Sequence, residues 1–345
     1  MKFSANARRE RIIETVVSLF MRTGTPVNSA IVSRESGLEL KASSIRAIMK
    51  ELEEDGYLLK PHTSAGRVPT LKSYRYYVSN LMPKIALPET DIALVRDAVE
   101  RSLREHDTRL FLHHMATVIS ELTDLVGVAL SPDFERGIFD KLDIVDIGGS
   151  SVLLVMTLAS GTLNTIRITL DSIIPRTRLE ETARVISSRL HGLSIAEIRA
   201  TLTSRLRDVS SGDRTLVEVI VRSQDRIFST QNDNTVHVSG LSRVLTLPEF
   251  HEYDHSMKLI TMMEEPKEIE FALRQAVHGE NGVSIMIGGS GLWGPAPALS
   301  LISAQYHSDF SEGAIGIIGP ARVDYPRLSA LVSYAAGYAS QFFSA

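Results

Sequence analysis

The stretch that most constrains the fold is "YLLKPHTSAGRVPTLKSYRYYV", from Tyr57 to Val78. It carries four Tyr, two Lys, two Arg and two Pro, and no acidic residue. A core strand does not hold so many cations, and a passive linker does not need four tyrosines. What precedes it narrows the choice. Ile12, Ile13, Val16, Val17, Leu19 and Phe20 recur at helical spacing, and "TGTP" (Thr23–Pro26) ends that helix. Ser29 is placed to cap a second, short helix that Gly37 stops. A third helix fits Ala42 to Asp55, with Ile45, Ile48, Met49 and Leu52 inward and Gly56 just past its end. Tyr57–Leu59 then reads as a strand. Helix, turn, helix, strand and cationic loop, in that order, is what a winged helix-turn-helix requires.

In such a unit the start of the third helix meets base edges, where short polar or cationic side chains suit the distance. Lys41, Ser43, Ser44, Arg46 and Lys50 lie there, away from the apolar side. A solvated helix face accounts for any one of them, but less well for the cationic loop that follows. In that loop His62, Thr63, Ser64, Arg67 and Lys72 are candidates for phosphate or minor-groove contact. The tyrosines are candidates for pinning the loop to the core.

Charge points the same way. Residues 1–82 hold thirteen Lys+Arg against eight Asp+Glu, whereas the rest holds twenty-four against thirty-three. A basic head on an acidic body suggests that one end alone meets a polyanion. The absence of cysteine excludes disulfides, iron–sulfur clusters and thiolate zinc sites. With no apolar run of about 18 residues and no apolar leader, a cytoplasmic address is expected.

Beyond "MPKIALPET", a linker with two prolines, the pattern is mixed α/β. Helices fit Asp91–His106, Thr108–Leu125, Thr215–Phe228, Glu252–Glu264, Glu268–Val277 and Tyr325–Phe343. "VLLVMTLASGTLNTIRITL" (Val152–Leu170) reads as a hairpin turning at Ser160-Gly161. "SIAE" (Ser194–Glu197) is a capping box. Strands fit Val283–Ile287, Leu299–Tyr306 and Ala314–Ile318, as if one domain interrupts another.

Two motifs tempt toward chemistry. "GSGLWG" (Gly289–Gly294) follows a strand as a dinucleotide fingerprint does, but Pro295 and Pro297 forbid the helix that would receive pyrophosphate. "HEYDH" places His251, Glu252 and His255 in an H-E-x-x-H spacing, and a zinc hydrolase is the reading it would support. A solvated helix start is the plainer alternative, and no enzyme, cofactor or metal is expected.

From Pro26 to Val78 the chain resembles the heat-inducible transcription repressor HrcA family, most specifically in "PHTSAGRVPT" and "YRYYV". The likeness resumes at "ELTDLVGVALSP", "LPEF" and "GIIGPARVDYPRLSALVSY". Where the family usually has Ser-Pro-Ala-Thr-Ile-Arg-Asn, this chain has Lys41-Ala42-Ser43-Ser44-Ile45-Arg46-Ala47, and Asn28 and Ser73 stand where Gly is usual. The resemblance implies an α+β multidomain protein. Its parts would be a winged helix-turn-helix over 1–82, a helical linker over 83–106, a GAF-like α/β domain over 107–174 and 266–345, and an inserted α/β dimerisation domain over 175–265. It implies a homodimer on an inverted-repeat DNA operator, repressing chaperone genes, with a GroEL-type chaperonin as a further partner. Within the insert, Leu216, Val217, Ile220 and Val221 are candidates for burial across the dimer axis, intradomain core being the plain alternative. A winged-helix regulator answering to a small effector in the GAF-like domain is the other functional reading.

Overall fold

The structure, a computed structural model, describes residues 4–62, 66–103, 108–132, 136–159, 163–209, 211–228, 236–276, 282–289, 293, 298–308 and 311–343. The chain divides into two units. The first comprises Met1–Leu130, Val236–Gln305 and Ala314–Gly337; the second comprises Ser131–Thr235, Tyr306–Gly313 and Tyr338–Ala345.

The first unit opens with α1 (Ala5–Thr23), α2 (Ser29–Glu35) and α3 (Ala42–Glu54). Ile12, Val16 and Val17 of α1 meet Val32 of α2 and Ile45, Met49 and Leu52 of α3 in a common buried core. The helix ends follow from single residues. Gly24 takes φ +63 and returns its N–H to the Phe20 carbonyl, closing α1. Asn28, not Ser29, caps α2: its side chain accepts from the N–H groups of Ala30 and Ile31. Asn28 therefore has a local role at the start of α2. At the end of α3, Gly56 (φ +75) donates to the Glu53 carbonyl and Tyr57 to that of Leu52, a Schellman ending.

The Schellman turn delivers β1 (Leu58–Leu59), which pairs antiparallel with β2 (Val68–Pro69). Val27 extends this ribbon by exchanging both backbone hydrogen bonds with Arg67, at 2.9 and 2.8 Å. Gly66 is required there, because an added Cβ would come 2.5 Å from the Val27 carbonyl. Thr70 caps α4 (Leu71–Tyr76), and a π-helical turn, Tyr77–Leu81, continues it. Tyr74 and Tyr77 are buried, and Tyr57 and Tyr76 meet edge to face at 5.5 Å. Ser73 donates its hydroxyl to the Tyr57 carbonyl.

The rest of the first unit is built on a five-stranded sheet. Along the chain come α5 (Glu89–Leu103), α6 (Thr108–Thr123) and β3 (Val126–Leu130), all before Ser131. The second unit supplies β4 (Phe139–Asp146), β5 (Ser151–Leu158), β6 (Leu163–Thr169), α7 (Arg176–Leu190), α8 (Ile195–Leu206), α9 (Arg214–Arg222) and α10 (Gln224–Ile227). The chain then returns with β7 (Val236–Ser239), α11 (Leu241–Val244), α12 (Tyr253–Glu264), α13 (Pro266–Gln275), β8 (Val283–Ile287), β9 (Leu299–Ser308), β10 (Ser311–Pro320) and α14 (Tyr325–Phe343). The sheet order is β7-β3-β10-β9-β8, with β3 antiparallel to both neighbours. Gly127 lets α6 lie against β3, since a Cβ there would come 2.0 Å from the Ala116 carbonyl oxygen.

In the second unit β4, β5 and β6 form an antiparallel sheet in that order. Its alternation sends Leu142, Ile144, Val152, Leu154, Met156, Ile166 and Ile168 inward against α7 to α10. The Val152–Leu170 hairpin is present, although its turn at Ser160-Gly161 lies outside the described residues. The interruption of one domain by another is also present, but its main segment runs Ser131–Thr235 rather than 175–265. The reason is packing: the hairpin's inward face is covered by α7 and the helices after it. Val236–Gln305 belongs instead to the unit of the larger sheet, which it enters through β7.

That packing also corrects the dimerisation residues. Leu216, Val217 and Ile220 are core, and Val221 is half-buried beside it. These side chains already have their partners within one chain.

Candidate nucleic-acid interface

Ile45, Met49 and Leu52 commit one face of α3 to the core, with Ile48 half-buried at its edge, and the opposite face is left to solvent. Lys41, Ser43, Ser44, Arg46 and Lys50 are all exposed, and so is Ala47. Ser43, Arg46 and Lys50 follow the i, i+3, i+7 spacing that puts them on one stripe. Lys41 begins the helix without a side-chain cap. Lys50 pairs loosely with Glu54 at 3.4 Å, while Lys41 and Arg46 have no ion-pair partner among the described residues. Arg34, exposed in the last turn of α2, adds a cation that the sequence reading passed over, because a lone arginine on a seven-residue helix carries no pattern.

The ribbon differs more from expectation. His62 is exposed, and Thr63 and Ser64 lie outside the described residues. Arg67 is not a free cation: its Nε lies 3.1 Å from Glu53 Oε2, and its side chain is 14% exposed. Lys72 donates to the Asp55 carbonyl at 2.8 Å and sits 4.3 Å from the centroid of the Tyr57 ring. Arg67 fastens the ribbon, and Lys72 the start of α4, to the end of α3. Arg9 of α1 ties the same helix down through Glu51 and Asp55. The geometry therefore sets a free cationic face on α3 beside a ribbon held rigidly against it.

His251, Glu252 and His255 do not assemble as H-E-x-x-H on one helix. His251 closes a 3-10 turn, Pro248–Phe250, and α12 begins only at Tyr253. His251 Nε2 lies 3.2 Å from the Thr246 carbonyl and His255 Nδ1 lies 3.0 Å from that of Glu249. Among the described residues, no three His, Cys, Asp or Glu side chains gather as a metal site. No helix of the described residues is long and apolar enough to cross a membrane.

Residues 110–328 match the family described as HrcA protein C terminal domain. The chain belongs to the HrcA family. A heat-inducible transcription repressor HrcA from Chlorobium chlorochromatii is 32% identical over 339 residues, covering 98% of this chain and 97% of its own. The heat-inducible transcription repressor HrcA from Chlorobium luteolum is 32% identical over 341 residues, covering 96% and 95%. Among solved structures, one described only as a hypothetical protein shares the fold with a TM-score of 0.58, at 18% identity and 99% coverage of both chains. The family is one of transcription repressors, not of enzymes. The head falls outside the matched family domain, yet the full-length relatives cover it.

Proposed function

We propose that this chain represses transcription by binding an inverted-repeat operator as a homodimer, each protomer reading one half-site with α3. The observation that carries this is the division of α3: Ile45, Met49 and Leu52 are buried, while Lys41, Ser43, Ser44, Arg46 and Lys50 face solvent. In this reading α1 to α4 with the β1–β2 ribbon form a winged helix, Arg46 and the serines meet base edges, and Lys41 and Lys50 meet phosphates. His62, exposed on the ribbon, would lie nearest the neighbouring groove. The five-stranded sheet with its helices corresponds to the GAF-like domain, and the second unit to the inserted dimerisation domain.

With Leu216, Val217 and Ile220 committed to the core, the outer face of the β4–β5–β6 sheet is the dimer surface this reading favours. Val145 stands opposite Leu153, Asp143 opposite Val155, and Thr157 opposite Leu163 across the strands. Val145 and Leu163 are exposed, and Leu153 and Val155 half-buried, so the face is apolar with a polar rim. Modulation by a GroEL-type chaperonin and a cytoplasmic address rest on the family resemblance. Selection of bound fragments from genomic DNA by the purified protein tests the reading. It should yield an inverted repeat, protected on one face of the duplex. Recovery of fragments with no shared repeat would overturn it.

A further inference from the structure

Two arginines outside the DNA-facing surface join the head to the five-stranded sheet. Arg75 of α4 directs Nε and Nη2 at the Ile287 carbonyl, where β8 ends, at 2.9 and 2.8 Å. Arg322, between β10 and α14, lies 2.6 Å from Glu249 Oε1 and 3.5 Å from the Met21 carbonyl. Met21 is in the last turn of α1, where a cation is favoured by the helix's exposed carbonyls. Two glycines with left-handed backbones flank the joint, and the approach is tight at Gly288 alone. A Cβ on Gly24 would lie 3.4 Å from Arg322 Nη1, and one on Gly288 would lie 3.3 Å from Arg75 Nη2 and 3.1 Å from Leu71 Cδ1. Tyr74 completes the joint, its ring 6.0 Å from that of Tyr325.

Among the described residues the joint is held by few polar bonds. Tyr74 Oη and Glu249 Oε2 are both buried without a hydrogen-bond partner among the described residues. Such groups weaken a contact rather than strengthen it. Those bonds run through the two guanidinium groups.

We propose that Arg75 and Arg322 are positioning residues for operator binding. They fix the head on the sheet in one orientation, so that a dimer presents its two α3 helices at one spacing. This rests on the dimeric, inverted-repeat reading above. A head free to swivel must lose that freedom when both half-sites are engaged, whereas a fixed head has lost it already. The residues therefore matter for two half-sites together and not for one alone.

The test uses the full chain and the inverted repeat recovered by selection. Companion duplexes have one half-site scrambled or the spacer lengthened by about half a helical turn. Wild type should prefer the intact repeat to the single half-site by about tenfold or more. Arg75→Ala and Arg322→Ala should lose most of that preference, keep the affinity for one half-site, and tolerate the longer spacer. Arg322→Lys, which keeps a cation near the end of α1, should recover part of it. Tyr74→Phe removes only the unpartnered hydroxyl and should retain the wild-type preference. Alanine variants that bind a half-site normally, yet keep both the preference and the spacer dependence, would overturn the proposal. A wild type that binds both duplexes equally would instead remove the dimeric reading.

Discussion

Arg67 and Glu53 form a half-buried ion pair, Nε to Oε2 at 3.1 Å, that ties the ribbon to the C-terminal end of α3. The pair changes what the arginine is expected to do. A free cation at that position would contribute about one unit to the slope of log affinity against log salt. With the guanidinium held by Glu53, Arg67→Ala should leave that slope unchanged. It should cost about 1 kcal/mol of stability as the ribbon loosens. Glu53→Gln should act similarly on stability. Salt titration of Arg67→Ala on operator and on random DNA checks this, and a slope reduced by one unit would return Arg67 to the phosphate contacts.

Arg46 is expected to behave in the opposite way. It is exposed on the solvent face of α3 and has no ion-pair partner among the described residues. Arg46→Ala should leave the melting temperature near that of wild type and lose about 1–3 kcal/mol of discrimination between operator and altered operator. Competition binding with single-base-pair variants measures this directly. An equal loss on every sequence would make Arg46 a phosphate contact.

The contrast between these two arginines shows what the sequence held and what it did not. The face of α3 follows from helical periodicity alone, because Ile45, Met49 and Leu52 settle which side turns inward. The partner of Arg67 lies fourteen residues earlier, on another element, and no local pattern couples the two. The same applies to the insert boundary. Alternation in Val152–Leu170 announces a half-buried hairpin, but does not say which helices cover it. Strand β4, "FDKLDIVD", carries a weak local signal because Asp140, Lys141, Asp143 and Asp146 dilute its apolar residues, although its alternation is that of a strand with one wet face. The cap of α2 is Asn28 rather than Ser29, since both suit the role and only backbone geometry chooses between them.

For the second unit, Val155→Asp and Ile220→Ala should separate surface from core. Val155 points away from the helices and faces Asp143 and Thr165 on its neighbouring strands. A carboxylate there should leave the fold intact and yield monomers in sedimentation at micromolar concentration. Ile220 is fully buried, so its truncation should cost about 2–5 kcal/mol of stability while the remaining folded protein stays dimeric. A dimeric Val155→Asp protein would move the interface elsewhere.

The capping box of α8 gives a pH dependence of known sign. Glu197 accepts from the Ser194 backbone N–H and hydroxyl, both at 2.8 Å, and the backbone bond is the main cause holding its carboxyl below the usual glutamate range. A depressed value in the folded state means stability that is present above the unfolded-state value and lost as pH falls through the folded one. Wild type should therefore melt higher than Glu197→Gln at neutral pH. The difference should narrow below about pH 4.3. Thermal melts of the two proteins from neutral to acidic pH check this, and a gap that widens on acidification would contradict the assignment.

Ala47 offers the sharpest test of the α3 face. It is exposed between Arg46 and the half-buried Ile48, on the turn that also presents Ser43, Ser44 and Lys50. The family resemblance puts asparagine here, and an asparagine amide pairs with the N6 and N7 edge of adenine in the major groove. Alanine has only a methyl group to offer, which suits the methyl of thymine or makes no contact. Ala47→Asn should thus leave folding unchanged, because the position is solvent-facing and asparagine costs a helix only a few tenths of a kcal/mol. It should shift the preferred base at one position of each half-site toward adenine, by about 1–3 kcal/mol. Selection from a randomised half-site with both proteins would reveal the shift. Identical base preferences would mean that this turn of α3 does not reach the base edges, and that the reading surface lies nearer Lys41 and Ser43.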